Sequence, residues 1–124
     1  MPELTVASEA WPLAETFRIS RGAKTETVVV VATLRDGEAV GRGECVPYPR
    51  YGESIVSVVT DIEKLRGDIE CGMDRDALQA ALPAGAARNA LDCALWDLEA
   101  KQAGARVWEL AGIAAPKPIV TAKT

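Results

Sequence analysis

The stretch VVVVATLRDGEAVGRGEC, residues 28–45, decides the fold. Its first part, Val28 to Leu34, is an apolar block rich in β-branched residues, the composition of a buried strand. Asp36-Gly37 follows, a dipeptide that tolerates positive φ and closes a tight hairpin into a second strand, Ala39 to Cys45. Upstream, Leu4, Val6 and the less regular Ala10-Trp11 predict a half-buried strand that ends at Pro12. The three strands make a small antiparallel sheet. Two non-strand segments interrupt it, Leu13 to Lys24 and Val46 to Glu53.

Downstream the pattern turns helical. Ser54 is a suitable N-cap, and Ile55, Val58, Val59, Ile62 and Leu65 recur at helical spacing until Gly67. A second short helix starts at Asp74 and stops near Leu82, because Pro83 follows. A third runs from Ala86 to Ala103 and ends at Gly104. Ala87, Leu91, Ala94, Leu95 and Leu98 form one apolar stripe on it, while Asn89, Cys93, Trp96 and Ala100 lie on another face. Arg88 and Asp92 are spaced for an i,i+4 ion pair. A three-layer sandwich this small offers cover for one helix face only. Two readings stay open, a buried central helix or a cover from outside these residues. Ala114 to Pro118 reads as a linker, and Ile119 to Thr124 as a strand with no neighbour. The expected division is therefore an α+β domain over residues 1–113, and over 114–124 a linker and the first strand of a second domain.

Composition narrows the chemistry. The 124 residues carry a formal net charge of -4 and no histidine. That excludes Ser-His-Asp and Cys-His mechanisms and His-ligated metal sites within this chain. The mildly acidic balance, without a Lys/Arg block, argues against nucleic acid or an anionic membrane as partner. Cys45, Cys71 and Cys93 are odd in number and widely spaced, which fits a reducing, cytoplasmic setting better than a disulfide framework or a zinc site. No signal peptide is visible, and the longest apolar run, Val28 to Ala32, is far short of the ~20 residues of a membrane span.

No complete active site emerges from the residues. Gly41-Arg42-Gly43 sits inside a strand and lacks a third glycine, so it marks close packing or a bulge rather than a phosphate loop. Asp92 and Asp97 point to different helix faces, Cys45 is a buried thiol at a strand end, and Lys123 is a solvated terminal lysine. The interrupting segments carry more. Arg18, Arg21 and Lys24 gather three cations around Gly22, suited to hold a carboxylate. Val46 to Glu53 packs two prolines and two tyrosines around Arg50, suited to ligand contact or to a stiff turn under the sheet. On the residues alone this is a binding or specificity module.

Three stretches then carry a family likeness. RGECVPYPRYGES, residues 42–54, resembles the segment after the small sheet in L-Ala-D/L-Glu epimerases, and LPAGAARNALDCALWDL, residues 82–98, resembles their long capping-domain helix. The opening Glu9 to Leu13 and the closing Ile119 to Thr124 are similar too, in the same order, so the likeness spans essentially the whole chain. These are dipeptide epimerases of the muconate-lactonizing group in the enolase superfamily.

The resemblance implies an α+β capping domain, a three-stranded antiparallel sheet followed by helices, over the mouth of a (β/α) barrel that these residues do not include. Two capping loops, roughly Phe17 to Thr25 and Val46 to Glu53, close over a small dipeptide. Residues 119–124 are the first barrel strand, and the barrel domain is the chain's own partner; a homo-oligomer is compatible with it. The implied reaction is a 1,1-proton transfer at the α-carbon of the dipeptide's second residue. Lysine bases and a magnesium ion held by barrel carboxylates carry it, and none of these catalytic or metal-binding residues lies in this chain. What carries over is substrate contact. Lys24 falls where the family has a basic residue, usually arginine, that meets the glutamyl carboxylate; lysine keeps the charge and loses the bidentate fork. Thr124 matches a substrate-contacting threonine, and Arg21, Tyr48 and Tyr51 are candidates from their place in the loops. The alternatives are another superfamily member (a cycloisomerase, an o-succinylbenzoate synthase or an acid-sugar dehydratase) and a non-enzymatic α+β binding module.

Overall fold

The computed structural model describes residues 1–20 and 22–122. Three antiparallel strands in the order β1-β2-β3 form one sheet: β1 Glu3–Ile19, β2 Gly22–Asp36 and β3 Ala39–Cys45. A 3-10 turn, Pro49–Tyr51, lies in the loop that follows. Five helices complete the chain: α1 Ile55–Lys64, α2 Arg66–Glu70, α3 Arg75–Ala81, α4 Ala86–Ala103 and α5 Val107–Leu110.

The hairpin of residues 28–45 forms as its composition predicts, with Val30 opposite Cys45 and Asp36 opposite Ala39. At its turn Gly37 takes a left-handed φ of 61°, which no β-branched residue would tolerate there. Ser54 caps α1 by accepting the Ser57 N–H, and Asp74 caps α3 by accepting the Ala77 N–H.

The segment Leu13 to Lys24 corrects the sequence reading, because β1 continues to Ile19 and β2 already begins at Gly22. Pro12 does not end β1. It pairs with Glu26, and the ladder resumes at Phe17 opposite Lys24. Residues 13–16 stand opposite Thr25 alone. Proline is tolerated at such an irregularity because β1 is an edge strand and loses no central ladder bond. Helix α2 was also not foreseen; the chain turns at Leu65 and re-enters a helix through Gly67, which drives Ile69 into the core. Residues 119–122 form no strand, since no neighbouring strand lies beside them, and residues 123 and 124 lie outside the described ones.

One face of the sheet packs on α4. A Cβ on Gly41 would stand 2.6 Å from the Leu98 Cβ, and one on Gly43 would stand 2.8 Å from the Ala94 N and collide with the Ala90 carbonyl oxygen. The two glycines let helix and strand touch backbone to backbone, the close-packing reading of this pair. Leu4, Val30, Ala32 and Leu34 meet Leu91, Ala94 and Leu98 in the core, with Val58, Ile62, Ile69 and Leu78 closing it from the other helices. The predicted stripe of α4 is buried throughout.

The second face of α4 is covered only in part. Arg75 lays its guanidinium 3.4 Å over the Trp96 ring and pairs with Glu99, and Ala100 is buried, while Asn89 and Cys93 stay exposed. Arg88 and Asp92 do not bond as the spacing predicts. Arg88 donates to the Leu82 carbonyl instead, and Asp92 accepts from Gln79.

Helix side chains also hold both outer edges of the sheet. Along β3, Asn89 donates to the Glu44 carbonyl, Asp97 accepts the Arg42 N–H at 2.9 Å, and Lys101 donates to the Val40 carbonyl. Along β1, Leu4 donates to Glu70, and its carbonyl accepts from Arg66. Among the described residues no helix is long and apolar enough to cross a membrane.

Candidate functional site

The described residues 14–20 and 22–24 of the β1–β2 hairpin are exposed, and the loop after β3 shares a cavity with them. Between them lies a groove of about 1050 Å³, lined by Leu13, Phe17, Ile19, Lys24, Tyr48 and Arg50 among others. The two segments singled out from sequence therefore build opposite walls of one cavity.

Lys24 sits on β2 opposite Phe17 and forms no ion pair among the described residues. An exposed ammonium beside the rings and alkyl groups of Phe17, Ile19 and Leu13 is an arrangement that attracts an anion and shields it from water on one side. Glu15 also lines the groove.

Tyr48 belongs to the facing wall. Its ring centroid is 5.5 Å from that of Tyr51, tilted by 43°. Tyr51 is three-quarters exposed and lines a smaller recess of about 520 Å³ with Cys45, Glu53, Gly85 and Asn89, not the groove that contains Lys24. The structure thus brings Lys24 and Tyr48 together and leaves Tyr51 to one side, with Tyr48 at the junction of the two cavities. Arg21 and Thr124, like Lys123, lie outside the described residues.

The loop wall is tied down by Glu53. One carboxylate oxygen accepts the Tyr48 N–H at 3.1 Å, and the other accepts the Ala86 N–H at 2.7 Å, in the first turn of α4. Gly85, the N-cap of α4, offers no side chain of its own. Glu53 supplies the missing acceptor, where the helix dipole favours a negative charge.

Sequence reasoning did not find this residue, or the apolar wall. Glu53 carried no local signal, because its partner is 33 residues away. The wall residues Phe17 and Ile19 had one available signal, large apolar side chains in an otherwise polar stretch.

Neither the thiols nor the acids offer further chemistry. Burial, then the negative charge of Glu53, pushes the Cys45 thiol up to about 11, so it is not a nucleophile at neutral pH. Burial also raises Cys93. Among the described residues no three of Cys, Asp and Glu come together to hold a metal ion.

Residues 1–112 match the family model for the N-terminal domain of the mandelate racemase / muconate lactonizing enzymes. The chain belongs to that family. It is 49% identical over 124 residues to the L-Ala-D/L-Glu epimerase of Escherichia coli (strain K12), covering all of this chain and 39% of that protein. It thus spans about two fifths of that relative's length. Among solved structures it superposes at a TM-score of 0.87, with 49% identity, on an enolase family member from Agrobacterium tumefaciens with homology to dipeptide epimerases. That structure has sodium and L-Ala-L-Glu bound with an ordered loop, and the match covers 93% of this chain and 36% of that one. A dipeptide epimerase from Methylococcus capsulatus, complexed with Mg and the dipeptide L-Arg-D-Lys, superposes at 0.72 with 27% identity over 89% of this chain and 34% of that one.

Proposed function

We propose that this chain is the specificity-setting N-terminal domain of a dipeptide epimerase that acts on a dipeptide with an acidic second residue, such as L-Ala-D/L-Glu. The observation that carries this reading is the groove lined both by Lys24 of the hairpin tip and by Tyr48 of the loop of residues 46–53. The 49% identity to the Escherichia coli epimerase along the whole chain supports the choice of substrate class.

In this reading the chain's own residues bind, orient and exclude water. Lys24 donates to the side-chain carboxylate of the substrate, and Phe17 and Ile19 keep bulk water from that contact. The bond is charge-assisted and worth about 1.5–3 kcal/mol. The α-proton is removed and returned by groups of a barrel domain outside these residues. Magnesium, present in the Methylococcus capsulatus structure, belongs to that domain as well. The reading includes a reducing, cytoplasmic location, for which the odd number and wide spacing of Cys45, Cys71 and Cys93 are the support.

The test is a chimera in which this chain replaces the matching segment of the Escherichia coli epimerase. It should exchange the α-proton of the second residue of L-Ala-L-Glu for deuterium in D₂O, while this chain alone should not exceed a protein-free control. A folded chimera with no exchange, or exchange by the chain alone, would contradict the reading.

A further inference from the structure

We propose that Glu53 is a positioning residue for the groove: its carboxylate bridges Tyr48 to the first turn of α4 and so fixes the wall against which a ligand rests. This rests on the reading that the groove takes a substrate. Glu53 itself lines the smaller recess rather than the groove that holds Lys24.

Three observations meet at this residue, and a fourth ties its surroundings to the same helix. Its two oxygens take two different backbone donors, Tyr48 at 3.1 Å and Ala86 at 2.7 Å. Its own N–H donates to the Tyr48 carbonyl at 3.3 Å, and the Tyr51 N–H donates there at 2.9 Å, so the loop closes on itself around Tyr48. Gly85 leaves room for the carboxylate, since a Cβ there would press to 3.2 Å from the second oxygen. Four residues further along α4 than Gly85, Asn89 holds the Glu44 carbonyl, at the point where β3 enters the loop. Helix α4 therefore carries the strand end, the loop and Tyr48 as one body.

The opposite wall is built differently. β3 pairs with β2 only as far as Val30, so the ladder around Phe17 and Lys24 is formed by the hairpin's own two strands. One wall is anchored on the longest helix, and the other is the tip of a two-stranded arm. In this arrangement Glu53 sets where Tyr48 stands before a ligand arrives, and its loss lowers affinity through a less ordered wall.

The experiment has two arms. In the first, amide hydrogen exchange is followed at Tyr48, Ala86 and Val30 in this chain, as wild type, Glu53→Ala and Glu53→Gln. Exchange at Tyr48 and Ala86 should accelerate about tenfold or more in Glu53→Ala, with Val30 in the sheet unchanged. Glu53→Gln should fall between, because an amide has one acceptor oxygen where the carboxylate has two. Should Glu53→Ala also lose protection at Val30, the Gln variant decides. Unchanged exchange at Tyr48 would overturn the proposal.

In the second arm the same variants are placed in the chimera with the Escherichia coli epimerase. Glu53→Ala should raise KM for L-Ala-L-Glu about fivefold or more and change kcat less than about twofold, with part of the KM restored by Gln. Faster exchange at Tyr48 with an unchanged KM would overturn the link to the groove. A wild-type chimera without activity would overturn the substrate reading instead, and the exchange data would still decide whether Glu53 is the clamp.

Discussion

Gly43 and Ala90 lie so close that a Cβ on the glycine would collide with the Ala90 carbonyl oxygen. This contact sets the distance between β3 and α4, and with it the height at which the loop of residues 46–53 leaves the sheet. The obstacle is helix backbone, which cannot swing aside as a side chain would. Gly43→Ala must push α4 off the sheet, at a cost of about 3 kcal/mol. We expect a fall in melting temperature of roughly 10 °C. Gly67→Ala, where an added Cβ meets nothing within 4 Å, is the matched control and should be neutral or slightly stabilising. Thermal unfolding followed by circular dichroism compares the two; equal melting temperatures would refute the close-packing account.

The edge cap on β3 gives a pH dependence. Burial works to raise the Asp97 carboxyl, but the Lys101 ammonium and the Arg42 N–H outweigh it and hold the group below its ordinary 3.8. A carboxyl depressed in the folded state adds stability above its unfolded value and loses it as pH falls through the folded one. Wild type should therefore exceed Asp97→Asn by a constant margin, no more than about 1 kcal/mol at this partly exposed site, from pH 7 to about pH 5. The margin should shrink below pH 3.8. Denaturant titrations across this range check it, and a margin unchanged at about pH 2 would exclude the Asp97 cap as its source.

The three thiols should react in a fixed order. Cys71 and Cys93 are exposed, whereas Cys45 is buried and its thiol is pushed up to about 11. Two units above the ordinary value leave about a hundredfold less thiolate, before access is counted. Timed alkylation at about pH 8, read by peptide mass spectrometry, should label Cys71 and Cys93 while Cys45 stays unmodified until denaturant is added. Labelling of Cys45 at the rate of Cys71 in the folded chain would contradict its burial.

How far the sequence could be read depended on how local each signal was. Val28 to Leu34, the glycine turn and the α4 stripe of Ala87, Leu91, Ala94, Leu95 and Leu98 were legible, because each is marked by residues close in sequence: a β-branched block, a turn dipeptide and a helical repeat. The hairpin tip was not. Residues 14–20 and 22–24 are exposed, so no alternation of burial marks them as strands, and Pro12 stands as a stop signal that an edge strand ignores. At the site, Lys24 and Tyr48 were legible as charge and aromatic content in two interrupting segments. That they line one groove was not, because the two segments lie more than twenty positions apart and no local pattern relates them. Tyr51, equal to Tyr48 by composition, parts from it only through the turn Pro49–Tyr51 that directs it to the smaller recess.

If Lys24 reads an acidic side chain of the substrate, as proposed, its replacement must separate acidic from neutral dipeptides. In the chimera with the Escherichia coli epimerase, kcat and KM are measured for L-Ala-L-Glu and L-Ala-L-Leu with wild type, Lys24→Ala and Lys24→Arg. Losing a charge-assisted bond of about 1.5–3 kcal/mol should raise KM for L-Ala-L-Glu about ten- to a hundredfold in Lys24→Ala, with kcat falling much less. Lys24→Arg should hold or improve that KM through its bidentate fork, and L-Ala-L-Leu should scarcely respond to Lys24→Ala. Equal losses on the acidic and the neutral dipeptide would show that Lys24 only shapes the hairpin tip, and would contradict the account.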